Sequence, residues 1–133
     1  MNTNPDLQLS SELQELYLEN KEWITQLQFL KDEYRFFIKL FDSEQVAERK
    51  HSVEQVVMIG DSLLLLRQKI AALEKLTVTH QQLITSILKD EKQQVGLALI
   101  EQNTAIGKEI KLLLNTSQLI KKDLFALVEG GNI

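Results

Sequence analysis

Hydrophobic positions recur at alternating steps of three and four residues from Leu9 to Phe41. Asn20 is the only polar position in this series, and Trp23 is the next member of the series. An average spacing of about 3.5 residues places these side chains on one face of a long helix that packs lengthwise against other helices. We therefore predict a first helix over about residues 8–41, capped by Asp6 or Ser10. The series consists of Leu9, Leu13, Leu16, Asn20, Trp23, Leu27, Leu30, Tyr34, Phe37 and Phe41.

A second series with the same spacing predicts a second helix over about residues 44–76. Asp42 and Gln45 have the spacing of a capping box, which predicts a tight turn at residues 42–44. Three consecutive β-branched residues at 77–79 favour an end of the helix there. The series consists of Val53, Val56, Ile59, Leu63, Leu66, Ile70 and Leu73.

The third helical region covers about residues 79–128, where Thr79 and Gln82 form another capping pair. Residues 90–94 are all polar, and a glycine inside a helix costs about 1 kcal/mol relative to alanine. Because Gly96 and Gly107 lie in the same stretch, we predict an interruption within residues 90–107.

The fold predicted from these patterns is all-α, an antiparallel bundle of three or four long helices with coiled-coil-like packing. No alternating strand pattern and no strong turn dipeptide separates Pro5 from the glycine pair at 130–131. A chain of 133 residues is sufficient for one domain, which we assign to residues 1–133.

A hairpin turning at residues 42–43 places Gly60 beside residue 25 and Asp61 beside Ile24, next to Trp23. In this arrangement Gly60 provides room for the indole, and Asp61 or Ser62 accepts its N–H or pairs with Asn20. A buried polar group without a partner costs about 1 to 3 kcal/mol. Asn20 and Trp23 are therefore predicted to align the helices, with the alternative that Gly60 is merely tolerated and Asp61 faces water.

Seven of the eight aromatic residues lie between Tyr17 and Phe41. Phe29 and Phe36 project to a different side from the main series, so the first helix should contact two neighbours. Besides the second helix, the other neighbour is either the third helical region or a helix of another subunit. We expect these aromatic residues to lie in the core, with a ligand pocket as the alternative.

Net charge is −4, and the excess of acid lies in residues 1–42, which hold eight acidic and four basic residues. Glu12, Glu15, Glu19 and Glu22 form an acidic strip that repels phosphate backbones and anionic lipids. The strip is either a solvated helix face or a docking site for a basic partner. We expect no nucleic acid as partner.

The reactive side chains are few, with two histidines and no cysteine. Glu48 and His51 have a spacing used in di-iron bundles, but such sites need a second Glu-x-x-His pair, and Thr77 precedes His80 instead. Neither histidine is followed by the lysine and glycine of phosphotransfer domains. We predict no catalytic residue, no metal site and no cofactor.

The stretch Glu19–Trp23, with Phe29 and the triplet Lys31, Asp32 and Glu33, resembles a family of short uncharacterised bacterial proteins. The likeness covers residues 12–40 and implies a helical bundle without implying any chemistry. A looser likeness to helical secretion chaperones depends only on size, acidity and amphipathic helices.

The sequence favours a non-enzymatic protein that acts by helix–helix contact as a scaffold, adaptor or homo-oligomer. The alternatives are a small-ligand or metal-binding helical sensor or enzyme, and a chaperone-like adaptor for a client helix. Residues 1–6 lack the pattern of a secretion signal, and the longest aliphatic run, 63–66, is far shorter than a membrane span. We expect a cytoplasmic protein without membrane insertion. The candidate interaction or alignment residues are Asn20, Trp23, Phe29, Phe36, Gly60 and Asp61.

Overall fold

The structure, a computed structural model, describes residues 5–46, 51–89 and 96–130, which form three helices. Helix α1 covers Pro5–Val46, α2 covers Val53–Lys89 and α3 covers Leu97–Gly130. They are about 50 to 63 Å long at 1.5 Å per residue, and all three pack against one another. The predicted all-α fold is confirmed, with three helices in these ranges. None of the three is long and apolar enough to cross a membrane.

Helix α1 ends later in the chain than the sequence predicted. Helix α1 continues through Asp42, so the predicted turn at residues 42–44 was wrong. Ser52 caps α2 instead, because its Oγ accepts a hydrogen bond from the Gln55 N–H at 3.1 Å. Ser52 and Gln55 also have the spacing of a capping box, so two candidate caps competed in the sequence and the later one is used.

Helix α2 passes without a break through the three β-branched residues at 77–79. The Thr77 hydroxyl donates to the Leu73 carbonyl at 2.6 Å, and the Thr79 hydroxyl donates to the Lys75 carbonyl at 2.9 Å. Threonines bonded in this way remain inside a helix. The predicted end near residue 76 was therefore wrong, and so was the cap at Thr79.

Helix α3 begins directly after Gly96, whose carbonyl accepts the N–H of Leu99 at 3.1 Å and of Ile100 at 3.4 Å. The predicted interruption within residues 90–107 falls partly on residues 90–95, which lie outside the described residues. From Leu97 onwards the helix is continuous, and Gly107 lies inside it.

Side-chain contacts show how residue numbers correspond between helices. Between α1 and α2, Asn20 bonds to Thr77, whereas Phe41 lies against Gly60. The number on α2 therefore falls as the number on α1 rises. Between α1 and α3, the bonds of Asn103 to Glu19 and of Ser117 to Glu33 both join residues 84 positions apart.

The predicted pairing of Gly60 with Trp23 was wrong. An ideal Cβ on Gly60 would lie 3.4 Å from the Phe41 ring, and one on Gly107 would lie 3.1 Å from the Trp23 ring. Gly60 therefore lies beside a residue further along α1, and the glycine that gives room to the indole belongs to α3. Asp61 is exposed to solvent.

The buried hydrophobic residues form two separate clusters. The small core consists of Leu13, Ile84 and Leu99, one from each helix. The main core contains residues of all three helices on the other side of a group of buried polar side chains. It consists of Leu27, Leu30, Phe37, Phe41, Ile59, Leu63, Leu66, Ile70, Leu73, Ile106, Ile110, Leu113, Ile120, Leu124 and Leu127.

Phe29 and Phe36 lie outside both cores, contrary to the expectation from the sequence. Their side chains are 62% and 52% exposed. Helix α1 does contact two neighbours, α2 and α3. The residues of α1 that make these contacts are those of the main series and the residues next to them. Phe36 contacts the buried Phe37 ring at a centroid distance of 6.4 Å.

Alanine substitution at Gly60 and at Gly107 should show which glycine is needed for the close approach of an aromatic ring. We expect Gly60→Ala to stabilise the chain by about 0.5 to 1 kcal/mol, because alanine is the better helix former and its methyl group meets Phe41 at an ordinary distance. In Gly107→Ala the Trp23 ring must move, which offsets that gain. Urea unfolding of both variants measures the difference, and an equal or larger gain for Gly107→Ala would contradict this account.

Candidate functional site: a buried polar layer

Four buried polar residues lie at one level of the bundle and separate the two cores. We call Asn20, Thr77, His80 and Asn103 the polar layer; none is more than 6% exposed. On every helix the main core lies on one side of these residues and the small core on the other. Since buried polar groups need hydrogen-bond partners, this level can hold the helices together only in particular pairings.

Asn20 connects α1 to α2. Its Nδ2 donates to the Thr77 carbonyl at 3.2 Å and to Gln81 Oε1 at 2.6 Å. Within the described residues its Oδ1 has no hydrogen-bond partner. The prediction that Asn20 is a buried polar position of the first helix thus agrees with the structure, but its partners are not Asp61 or Ser62.

His80 connects α2 to α3 through both ring nitrogens. Nε2 lies 3.1 Å from Asn103 Oδ1, and Nδ1 lies 3.2 Å from Gln102 Oε1. A neutral imidazole donates through one nitrogen only. The ring therefore satisfies both contacts either as the imidazolium or as a neutral ring with the partly exposed Gln102 amide turned over.

Asn103 connects α3 to α1 and completes the circuit among the helices. Its Nδ2 donates to Glu19 Oε1 at 2.9 Å, while its Oδ1 faces His80. Glu19 belongs to the acidic strip of α1, so one member of that strip is part of the internal network. All four members, Glu12, Glu15, Glu19 and Glu22, are exposed, and the Glu19 carboxylate reaches Asn103 from the surface.

His80 and Asn103 were not predicted as members of this site, although the sequence contains a signal for them. His80 lies between Leu73 and Ile84, and Asn103 lies between Leu99 and Ile106, in both cases at steps of three and four. Extending each hydrophobic series across its polar members would have found both residues. The predicted break at 77–79 concealed His80, because it ended the second series too early.

A second set of polar contacts lies at the main core, where Ser117 is buried, and at its edges. The Ser117 hydroxyl donates to Glu33 Oε1 at 2.9 Å, and Lys121 Nζ lies 3.7 Å from Glu33 Oε2. Lys31 Nζ lies 3.1 Å from Glu74 Oε2. These contacts join α1 to α3 and α1 to α2, so polar groups pair across both interfaces of α1.

An apolar groove of about 260 Å³ lies on the outside of the bundle, between α2 and α3. Leu76 and Leu112 project into it and are 41% and 58% exposed. Exposed apolar groups gathered in one concave surface are typical of binding sites rather than of ordinary surface. The groove is lined by Lys69, Ala72, Leu73, Leu76, Glu109, Leu112, Leu113 and Thr116.

The polar layer provides hydrogen-bonding groups, and the groove provides apolar surface. Among the described residues, no group of three or more histidine, aspartate or glutamate side chains is arranged to hold a metal ion. Glu48 of the predicted Glu-x-x-His pair lies outside the described residues. The polar layer faces inward and binds its own members, whereas the groove faces solvent.

Comparison of the chain with protein-family models, with curated proteins and with solved structures gave no match. The resemblance of residues 12–40 to short bacterial helical proteins therefore stays a prediction.

Removal of the Asn103 amide should destabilise the chain markedly. Asn103→Ala takes away the partners of His80 Nε2 and of Glu19, and the buried imidazole cannot replace its partner with bulk water. We expect a loss of about 1 to 3 kcal/mol in the free energy of unfolding. Asn115→Ala on the exposed face of α3 is the matched control, with a change within about 0.5 kcal/mol; equal effects of the two would contradict the network.

Asn20→Leu should have the opposite effect. It removes an amide whose Oδ1 lacks a partner, and the released Gln81 side chain is partly exposed and can bond to water. We expect a rise of about 1 kcal/mol in the free energy of unfolding, as found when buried polar groups are replaced by apolar ones. Thermal unfolding followed by circular dichroism measures it, and a decrease as large as that of Asn103→Ala would contradict this interpretation.

Proposed function

We propose that this chain is a non-enzymatic cytoplasmic module that acts by helix–helix contact, as a scaffold, adaptor or homo-oligomer. We further propose that its helices form an antiparallel bundle with coiled-coil-like packing. The observation that carries the functional proposal is the apolar groove between α2 and α3, where leucines lie exposed on both walls.

The falling residue numbers between α1 and α2 support the antiparallel arrangement. The constant separation of 84 residues between α1 and α3 supports a shared repeat, because 84 is a multiple of seven. The core positions of α2 also keep the steps of three and four that coiled coils use, from Ile59 to Ile84. Such a bundle offers long, regular outer grooves into which another helix fits.

The polar layer supports a structural role for the buried polar residues. His80 and Asn103 bond to each other, and His80 has 1% exposure, which leaves little opening for a substrate. The alternative of a ligand site among the aromatic residues of α1 has less support, because Phe29 and Phe36 lie on the open surface and do not enclose a cavity.

An adaptor for a basic client helix is the second candidate. It is favoured by the exposure of Glu12, Glu15 and Glu22 on one side of α1, where a basic helix would find complementary charge. This surface is separate from the groove between α2 and α3, so the two candidates can be tested independently.

In-cell photo-crosslinking tests the proposed function. A photoreactive amino acid at Leu112 should give a protein adduct, whereas the same amino acid at Lys122, exposed on another side of α3, should give little. Placement at Glu15 tests the adaptor candidate in the same way. Absence of a protein adduct from both Leu112 and Glu15, in cells where the chain is folded and soluble, would contradict the proposal.

A further inference from the structure

We propose that the groove between α2 and α3 binds the same groove of a second copy of this chain, forming a twofold-symmetric dimer. This inference rests on the proposed function and specifies its partner. Three observations carry it: the extent of the apolar surface, the opposite charges of the two walls, and the size of the face.

The apolar surface extends well beyond the lining of the cavity itself. Residues seven positions apart lie on the same side of a helix in a bundle of this kind. Leu65 precedes Ala72 by seven residues on α2, and Leu119 follows Leu112 by seven on α3. Leu65 is 49% exposed and Leu119 is 64% exposed. Large apolar side chains thus continue along both walls.

The two walls differ in charge. We define the α2 wall by the seven-residue series through Ala72 and Lys69, and the α3 wall by the series through Leu112 and Glu109. The described part of the α2 wall contains one cation, Lys69, and no acid, whereas that of the α3 wall contains Glu109 and Asp123 and no cation. One wall therefore carries a single positive charge and the other carries two negative charges.

Walls of opposite charge suit a twofold dimer whose axis runs along the helices. In a twofold interface, if residue i of one copy contacts residue j of the other, then j also contacts i. An axis running along the helices places the α2 wall of each copy on the α3 wall of its partner. The positive wall then meets the negative one twice, and the leucines of both copies meet between them. An axis across the helices would instead place acid on acid.

The face is large enough for a stable dimer. Two helices about 50 Å long and about 10 Å in diameter, with axes about 9 Å apart, present a face about 19 Å wide and roughly 900 to 1,000 Å² in area. A stable interface buries about 800 Å² on each partner. A single docked helix would cover less of this surface and would meet a positive wall on one side and a negative wall on the other.

Mass measurement with matched charge insertions tests the dimer. Light scattering after size exclusion should show twice the monomer mass for the unmodified chain. Leu112→Glu should reduce this to the monomer mass, with circular dichroism unchanged, because the exposed Leu112 contributes little to the monomer core. Leu18→Glu, on an exposed position of α1 outside the groove, should remain dimeric. Equal behaviour of the two variants would overturn the assignment of the surface.

Charge reversal tests the wall-to-wall arrangement. Lys69→Glu makes both walls acidic, and the double variant Glu109→Lys, Asp123→Lys makes both basic, so each should dimerise at least about tenfold more weakly. An equimolar mixture should restore dimerisation as a mixed dimer, which native mass spectrometry identifies. Failure of the mixture to associate, while both variants remain folded, would overturn the arrangement.

The outcomes separate this inference from the proposed function. A chain that is monomeric at all accessible concentrations, but gives an adduct with a different protein from Leu112, overturns the dimer and leaves the interaction module standing. A dimer that survives Leu112→Glu overturns the inference in favour of another self-association surface. A dimer that is lost in Leu112→Glu and restored in the charge-reversed mixture supports it.

Discussion

The requirement that buried polar groups find partners controls the alignment of this bundle. Hydrophobic contacts alone tolerate sliding, since leucines and isoleucines recur along each helix at the same spacing and one can replace another. Asn20, His80 and Asn103 interrupt these hydrophobic series, and their hydrogen bonds cross all three interfaces between the helices. A slip of one repeat would bury each of them against apolar neighbours, and an unpaired buried polar group costs about 1 to 3 kcal/mol.

This internal alignment also determines the outer surface. The groove is lined by residues of both α2 and α3, so its shape depends on the relative position of these helices. The contact of His80 with Asn103 further along the same two helices helps to fix that position. The interior therefore supplies stability and alignment, while the exposed leucines offer binding surface. The proposal of an interaction module connects the two, because a groove assembled from two helices keeps its shape only if their relative position is fixed.

The sequence predicted the helical class, the buried character of Asn20 and most of the core, since those depend on local periodicity. It did not predict where α1 ends, because two capping pairs compete, Asp42 with Gln45 and Ser52 with Gln55, and the local sequence does not decide between them. The sequence also did not predict the partner of Trp23. Gly107 is distant in the chain and reaches the indole only through the alignment of α3 with α1. The β-branched residues at 77–79 favour a break in the second helix, yet the hydroxyls of Thr77 and Thr79 bond to carbonyls within that helix.

The most direct test of the central claim is a distance measurement between α1 and α2. Because the chain has no cysteine, spin labels can be attached to Gln14→Cys and Gln68→Cys, both exposed and well separated along the bundle. With the polar layer intact we predict one narrow distance distribution. Replacing Asn20, His80 and Asn103 by leucine should broaden it or add a component shifted by about 10 Å, the length of a seven-residue slip. An unchanged narrow distribution in the folded triple variant would contradict the claim that the polar layer aligns the helices.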